Sequence, residues 1–302
     1  MPPRLLVLAI VLFWIGTSAW LFQRELWPRL RSGEAPPFAI DLADETRPHS
    51  AAVRWTIIRG KSKIGVLETW TSYRKEDNTF ELHSKIPSIY LGGIGPMRAK
   101  ATNLESMYRV TQDGILRATR IDGELQLLQF SAYLYLTGKI DGRWFTPRGY
   151  LALGRKKEAS DKFQIPENEK IYLDLERVPV SARGSVIDPL HPVNRIRGLR
   201  PGQHWQTPLI DPLADSINGM VQKEPALQAL TVLKKTHGTP ILYAEVLGGP
   251  RQIEYGGLYW GCLVIEYRGD DMTAHTWVRE SDGLVLKQDA VFWGDHLILE
   301  RN

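Results

Sequence analysis

The chain has 302 residues, of which 43% are hydrophobic and 24% charged, a balance that excludes disordered, collagen-like and multi-span membrane proteins. A single cysteine excludes an intramolecular disulfide framework and any zinc or iron–sulfur site built from several cysteines. The net charge is +4, and residues 1–32 carry +3 of it. Because the rest of the chain is nearly neutral and has only short basic clusters, we predict no nucleic-acid partner.

The chain begins with an uncharged apolar run of eighteen residues, 5–22. As a helix it would extend roughly 27 Å, about the thickness of the hydrocarbon core. We predict a signal anchor with the C-terminal side exported. A cleaved signal peptide is an alternative, because Thr17 and Ala19 are small residues at the −3 and −1 positions of a cut; a buried core helix is another. One arginine precedes the run and three follow it, which argues mildly against export.

The sequence divides into three parts. Residues 1–31 are predicted to be the transmembrane anchor or signal peptide with its juxtamembrane segment, and the polar, Pro-bearing residues 32–50 a linker. Residues 51–302 are predicted to form one β domain, with a Pro-rich insertion near 178–212 that supplies edge or connecting structure, because proline cannot donate to a strand ladder.

Strand-like segments fill most of this domain. Segments 53–58, 64–73 and 80–86 are rich in β-branched and aromatic residues and predict a three-strand meander. Asp-Gly pairs at 113–114, 122–123, 141–142 and 282–283 predict tight hairpin turns. Further strands are predicted at 241–246, 258–267, 273–279, 284–293 and 297–301, with 258–267 central because both of its faces are apolar. Residues 210–222 predict a short helix, and 224–235 a second helix or a strand.

The predicted fold class is therefore mainly β. We expect a large curved antiparallel sheet, half-barrel-like, with one or two short helices, preceded by the N-terminal transmembrane helix.

Catalytic signatures are absent from the sequence. It contains no nucleophile elbow, zinc-protease motif, phosphate loop or dinucleotide fingerprint, and its seven histidines are scattered. The alternation around Cys262 predicts a buried apolar side chain rather than a nucleophile. We predict no catalytic residue, no metal site, no cofactor and no enzymatic activity.

Aromatic residues in the strand-like segments are the candidate binding residues. If the sheet curls, some of them would line its concave side as an apolar groove. The candidates are Trp55, Trp70, Tyr133, Tyr135 and Trp144. The alternative is that these aromatic side chains only fill the core.

Several segments in a characteristic order resemble the LolA/LolB-like half-barrel envelope proteins and their uncharacterised bacterial relatives. They are 63–66 early in the chain and then 198–203, 262–267, 277–279, 282–288 and 297–301, so the resemblance covers roughly residues 52–302. It implies a curved sheet whose concave apolar face holds acyl chains, and a domain outside the cytoplasm.

From the resemblance and the apolar N-terminus we predict a cell-envelope protein, anchored once in the inner membrane through residues 5–22, with a periplasmic or extracellular domain. The predicted function is non-enzymatic binding of a lipid or acyl chain in the groove. The first alternative is a scaffold or interaction module whose sheet edge or Pro-rich segment 178–212 docks another envelope protein. The second is an unrecognised hydrolase with dispersed catalytic residues.

Overall fold

The computed structural model describes most of the chain in ten ranges. They are residues 4–21, 52–94, 97–112, 114–127, 130–154, 167–180, 193–208, 241–269, 273–292 and 295–302. The predicted linker 32–50 and the segments 210–222 and 224–235 lie outside the described residues.

The first described element is the helix α1, Arg4–Leu21, where the apolar run predicts a helix. Its Thr17 hydroxyl donates to the carbonyl oxygens of Phe13 and Trp14, at 2.9 and 3.0 Å, so this polar group is satisfied within the helix. Over the ranges that the structure describes, helical length and apolarity nowhere reach what a membrane span requires.

Sixteen strands follow in the described ranges, with one 3₁₀ turn at Glu167–Glu169. The strands are β1 Val53–Arg59, β2 Ser62–Arg74, β3 Thr79–Ile94, β4 Met97–Thr111, β5 Leu116–Leu127, β6 Phe130–Asp141, β7 Trp144–Gly154, β8 Lys170–Tyr172, β9 Val178–Pro179, β10 His204–Pro208, β11 Ile241–Val246, β12 Arg251–Tyr255, β13 Leu258–Arg268, β14 Thr273–Arg279, β15 Val285–Phe292 and β16 Asp295–Arg301. The mainly β fold class and the predicted opening meander, now β1 to β3, are confirmed.

These strands form one antiparallel sheet in the order β10-β11-β13-β14-β15-β16-β1-β2-β3-β4-β5-β6-β7-β8, with β12 paired to β13 and β9 paired to β7. Most neighbours in this order are also neighbours along the chain, as expected for hairpin connections. Two pairs skip one strand, β11 with β13 and β7 with β9, and one pair joins distant strands: β1 pairs with β16, with Trp55 opposite Arg301 and Ile57 opposite Leu299. The two ends of the domain therefore meet in the middle of the sheet.

Three of the four predicted Asp-Gly turns are confirmed by positive φ angles at their glycines, which are Gly114, Gly142 and Gly283. In the last turn, the hydrogen bond from Arg279 lowers the pKa of Asp282 to about 2, so this carboxylate stays ionised.

The fourth predicted Asp-Gly turn, at 122–123, was wrong. Asp122-Gly123 lies inside β5, where the absence of a Cβ lets β5 approach β4: an added methyl at Gly123 would lie 3.0 Å from Cα of Leu104.

Side-chain alternation gives the sheet two unlike faces. The packed face is defined by the residues that line up with Trp55 across the registers, among them Leu67, Ile265 and Leu299, and it holds the largest buried cluster. The open face is the opposite one; it carries mostly polar side chains, and at β13 it also holds a smaller buried cluster that contains Cys262. Trp55, Leu67 and Ile265 are completely buried, so their own side chains already fill the packed face.

The strand β13 is central, as predicted. Cys262, Leu263, Val264 and Ile265 are consecutive and all buried, so both faces of the strand are covered there. Burial raises the pKa of the Cys262 thiol to about 11, which keeps it protonated at neutral pH.

The predicted Pro-rich segment 178–212 contributes only peripheral structure to the described sheet. Its strands are β9, of two residues, and β10, which is the last strand at one end of the order. This position agrees with the prediction that the segment supplies edge or connecting structure.

The glycine at 138 provides a test of the packing between β6 and β7. The ring of Phe145 lies directly over Gly138, and an added methyl would lie 2.0 Å from Cζ of that ring. We expect Gly138→Ala to lower the free energy of unfolding by about 1–3 kcal/mol, because the rigid ring must move. Urea denaturation measures this change.

The matched control is Gly261→Ala, in β13, where the nearest atom to an added methyl is a Glu280 carboxylate oxygen at 3.7 Å. That variant should be as stable as the native protein. Equal stability of the two variants would contradict the close packing of Phe145 on Gly138.

Candidate functional site

Three of the five predicted groove residues lie apart from one another. Trp55 is buried on the packed face, where its Nε1 donates to Oγ1 of Thr69 at 3.0 Å, so it has the alternative role of a core side chain. Trp70 lies on the open face. Trp144 is 49% exposed at the start of β7, next to the short strand β9. These three tryptophans therefore do not line a common groove.

Trp70 is stacked on His83, its cross-strand neighbour, with ring centroids 4.9 Å apart and planes within 4°. Nε2 of His83 lies 3.0 Å from Oγ of Ser72, in hydrogen-bonding contact. Burial lowers the pKa of His83, although the charges of Glu81 and Glu105 act in the opposite direction.

The other two predicted residues, Tyr133 and Tyr135, come together with two tyrosines that the sequence analysis did not select. Tyr150 on β7 lies 5.2 Å from Tyr135 and 6.3 Å from Tyr133, measured between ring centroids, and Tyr172 on β8 lies 6.2 Å beyond it. We call these four residues the tyrosine row. It lies on the open face near the β8 end of the sheet.

Cations accompany the tyrosine row. The Arg120 guanidinium lies 5.4 Å from the ring centre of Tyr135, and Nζ of Lys170 lies 5.2 Å from that of Tyr150. Arg120 also donates to Asp122 at 2.8 Å. The row is therefore an aromatic surface of mixed polarity and not an apolar groove.

A second group on the open face, at the β10 end of the sheet, was not predicted. Five residues follow one another across five strands as direct register partners. They are His204 on β10, Glu245 on β11, Glu266 on β13, His275 on β14 and Asp289 on β15. We call them the His–carboxylate row. Directly opposed residues have Cβ atoms about 5 Å apart, so their side chains interact.

His275 is held firmly in this row. Its Nδ1 lies 3.0 Å from Oδ1 of Asp289, which also accepts a hydrogen bond from the His275 backbone N–H at 2.8 Å. On the other side of the ring, Nε2 faces Oε1 of Glu266 at 3.6 Å, so both ring nitrogens face carboxylates.

The two glutamates in the row have different surroundings. Arg268 donates to Glu266, and this hydrogen bond lowers the pKa of the Glu266 carboxyl, so it remains ionised. Glu245 lies directly opposite Glu266, and in the described part of the chain it forms no ion pair. Two like charges in directly opposed positions destabilise a sheet unless something else neutralises them.

A cleft of about 640 Å³ opens along this part of the row, and we call it the β10–β11 cleft. It is lined by His204, Trp205, Gln206, Tyr243, Ala244, Glu245, Glu266 and Arg268. Carboxylates beside a half-exposed tyrosine ring form a surface suited to a cationic group, which they can bind by charge and by cation–π contact.

Part of this arrangement has a signal in the sequence. Alternation within each strand puts His204 with Gln206, and Tyr243 with Glu245, on one face. The sequence of each strand alone does not predict that Glu245 lies opposite Glu266, because this depends on which strands pair and in what register.

Comparison with known proteins gives few matches. No family model matches the chain, and no curated protein matches it. A solved structure that is similar is the crystal structure of a β-barrel-like protein of the domain of unknown function DUF1849 from Brucella abortus. It is 8% identical, with a TM-score of 0.38, and the match covers 83% of this chain and 94% of that chain. None of these findings names the LolA/LolB family, so that resemblance stays a hypothesis.

The stacked pair Trp70–His83 predicts a pH effect on stability. Because the pKa of His83 is lowered in the folded protein, the unfolded chain takes up this proton more readily. The stability due to neutral His83 is fully present above the ordinary histidine pKa of about 6.5 and is lost as the pH falls below it. We expect His83→Gln to show a smaller fall in the free energy of unfolding between about pH 7 and pH 5.5.

Urea titrations at the two pH values measure this difference. The control is Gln252→Asn, at an exposed side chain on β12 that does not titrate, which should keep the pH dependence of the native protein. A native-like pH dependence in His83→Gln would contradict the assignment.

Proposed function

We propose that the protein is a non-enzymatic interaction module that docks an extended segment of a partner protein against the edge strand β10. The observation that carries this proposal is the position of β10: it ends the strand order, and in the described part of the chain it pairs with one neighbour, β11. A terminal strand offers backbone donors and acceptors to an added strand, which is a common mode of peptide recognition.

The packing of β10 supports this role. Trp205 is buried on the packed face and meets the ring of Tyr267 edge-on, with centroids 6.3 Å apart. This contact fixes the strand to the core, so β10 itself needs no rearrangement to pair with an added strand. The alternating residues His204 and Gln206 point to the open face, into the β10–β11 cleft, where side chains of an added strand would also lie.

Binding of a lipid or acyl chain in a half-barrel groove was the first function predicted from the sequence. The packed face, which would have to provide that groove, is filled by the protein's own side chains over the described residues. This filling favours docking at the sheet edge as the proposed function. A curved, half-barrel shape remains compatible with it and draws support from the register shifts between β1 and β2, β2 and β3, β4 and β5, and β14 and β15, since such bulges bend strands.

Hydrogen exchange of the full-length protein tests the docking. The probe is a free peptide of alternating Thr and Val residues, and the control is the same peptide with its backbone amides N-methylated, so that it cannot donate hydrogen bonds. We expect the first peptide to slow exchange in residues 204–208 and the methylated one not to. Equal effects of both peptides, or protection only at β8, would contradict docking at β10.

We also propose that α1 attaches the domain to a membrane, with the domain on the exported side. The support is local: Phe13 and Trp14 are 74% and 68% exposed, so neither is covered by the rest of the protein.

Deleting residues 4–21 should move the protein from the membrane fraction to the supernatant after alkaline extraction. The mass of the mature protein shows whether its N-terminus has been cleaved, and so distinguishes an anchor from a signal peptide. If the native chain is uncleaved and is nevertheless recovered in the supernatant, attachment through α1 is contradicted.

A further inference from the structure

We infer that the segment docked at β10 carries a basic side chain, Lys or Arg, which binds in the β10–β11 cleft between Glu245 and Glu266. This inference rests on the docking proposed above and adds the chemistry of the partner. It starts from the direct opposition of Glu245 and Glu266 across β11 and β13. An opposed pair of carboxylates is unfavourable in an isolated sheet, and such local conflicts are typical of binding sites.

The guanidinium that the protein itself supplies there forms an ion pair with one of the two glutamates, Glu266, and its charge also acts on the other, Glu245. Arg268 stands two residues beyond Glu266 on the same strand and face, and it donates to the Glu266 carboxylate. Its own side chain is 60% exposed. Glu245 has no ion-pair partner in the described ranges, so its carboxylate is available to a cation from outside.

The far side of the row adds negative charge. Asp289 holds His275 by its Nδ1, and the ring in turn faces Glu266 with Nε2. Three carboxylates, those of Glu245, Glu266 and Asp289, therefore lie within four strands, with the His275 ring between the last two, and Arg268 provides the one guanidinium among the described residues that line the cleft. This charge balance complements a basic side chain and repels an acidic one.

The cleft also accommodates the apolar part of such a side chain. Tyr243 lies two residues from Glu245 on the same face of β11 and is 56% exposed. Its ring can pack against the methylene stem of a lysine or arginine, and it can make a cation–π contact with the charged group. Glu245 and Tyr243 thus provide complementary contacts for the two ends of one basic side chain.

Fluorescence anisotropy with the full-length protein tests this inference. The probes are three labelled peptides of alternating Thr and Val residues with Arg, citrulline or Glu at the centre; citrulline has nearly the shape of arginine without its charge. We expect the Arg peptide to bind about fivefold more tightly than the citrulline peptide, the upper range for an exposed ion pair, and the Glu peptide to bind most weakly.

The variant Glu245→Gln should remove this preference and leave binding of the citrulline peptide unchanged. The matched control, Glu254→Gln, changes an exposed glutamate on β12 outside the cleft and should keep the preference. Thermal melting checks the fold of both variants, and Glu245→Gln should melt no lower than the native protein, because it removes a like-charge contact.

Two outcomes would overturn the inference and leave the docking intact: equal binding of the Arg and citrulline peptides by the native protein, or an unchanged preference for Arg in Glu245→Gln. Binding of none of the three peptides would overturn the docking at β10 and this inference with it.

Discussion

The pairing of β1 with β16 is the constraint on which the rest of the sheet depends. Nearly every other strand finds its partner next to it along the chain, so those hairpins can form locally. The β1–β16 pair joins residues at opposite ends of the domain, with Trp55 opposite Arg301 and a hydrogen bond from the Asn302 N–H to the Arg54 carbonyl. Closing so long a loop is entropically costly and has to be offset by what it buries.

Trp55 provides that burial. It is completely buried, its indole N–H is satisfied by Thr69 on β2, and the Arg301 side chain lies over its ring from β16. The largest core cluster continues from this point in both directions along the packed face. The β1–β16 pair thus lies at the centre of the core. It joins the strands that begin with β1 and the strands that end with β16 into one continuous sheet.

Because the packed face supplies the burial, the open face can carry polar groups. The tyrosine row and the His–carboxylate row lie on this same face, toward opposite ends of the strand order. The central strands between them carry ordinary charge pairs, such as Lys85 with Glu105. The opposition of Glu245 and Glu266 is different, because the sheet itself gains nothing from it, and this is why the proposed docking site is placed at that end.

The sequence by itself determined the strands β1 to β3, β11 and β13 to β16, the antiparallel class, three of the four Asp-Gly turns and the burial of Cys262, since alternation and turn chemistry act within a few residues. It did not determine that Gly123 continues a strand, because that reflects the close approach of Leu104 from a neighbouring strand. Only the tertiary structure decided which face Trp55 and Tyr133 occupy, and that Glu245 meets Glu266. The physical reason is the two-residue period of a strand: it assigns side chains to a face within one segment, but the pairing and register between distant segments depend on the whole sheet.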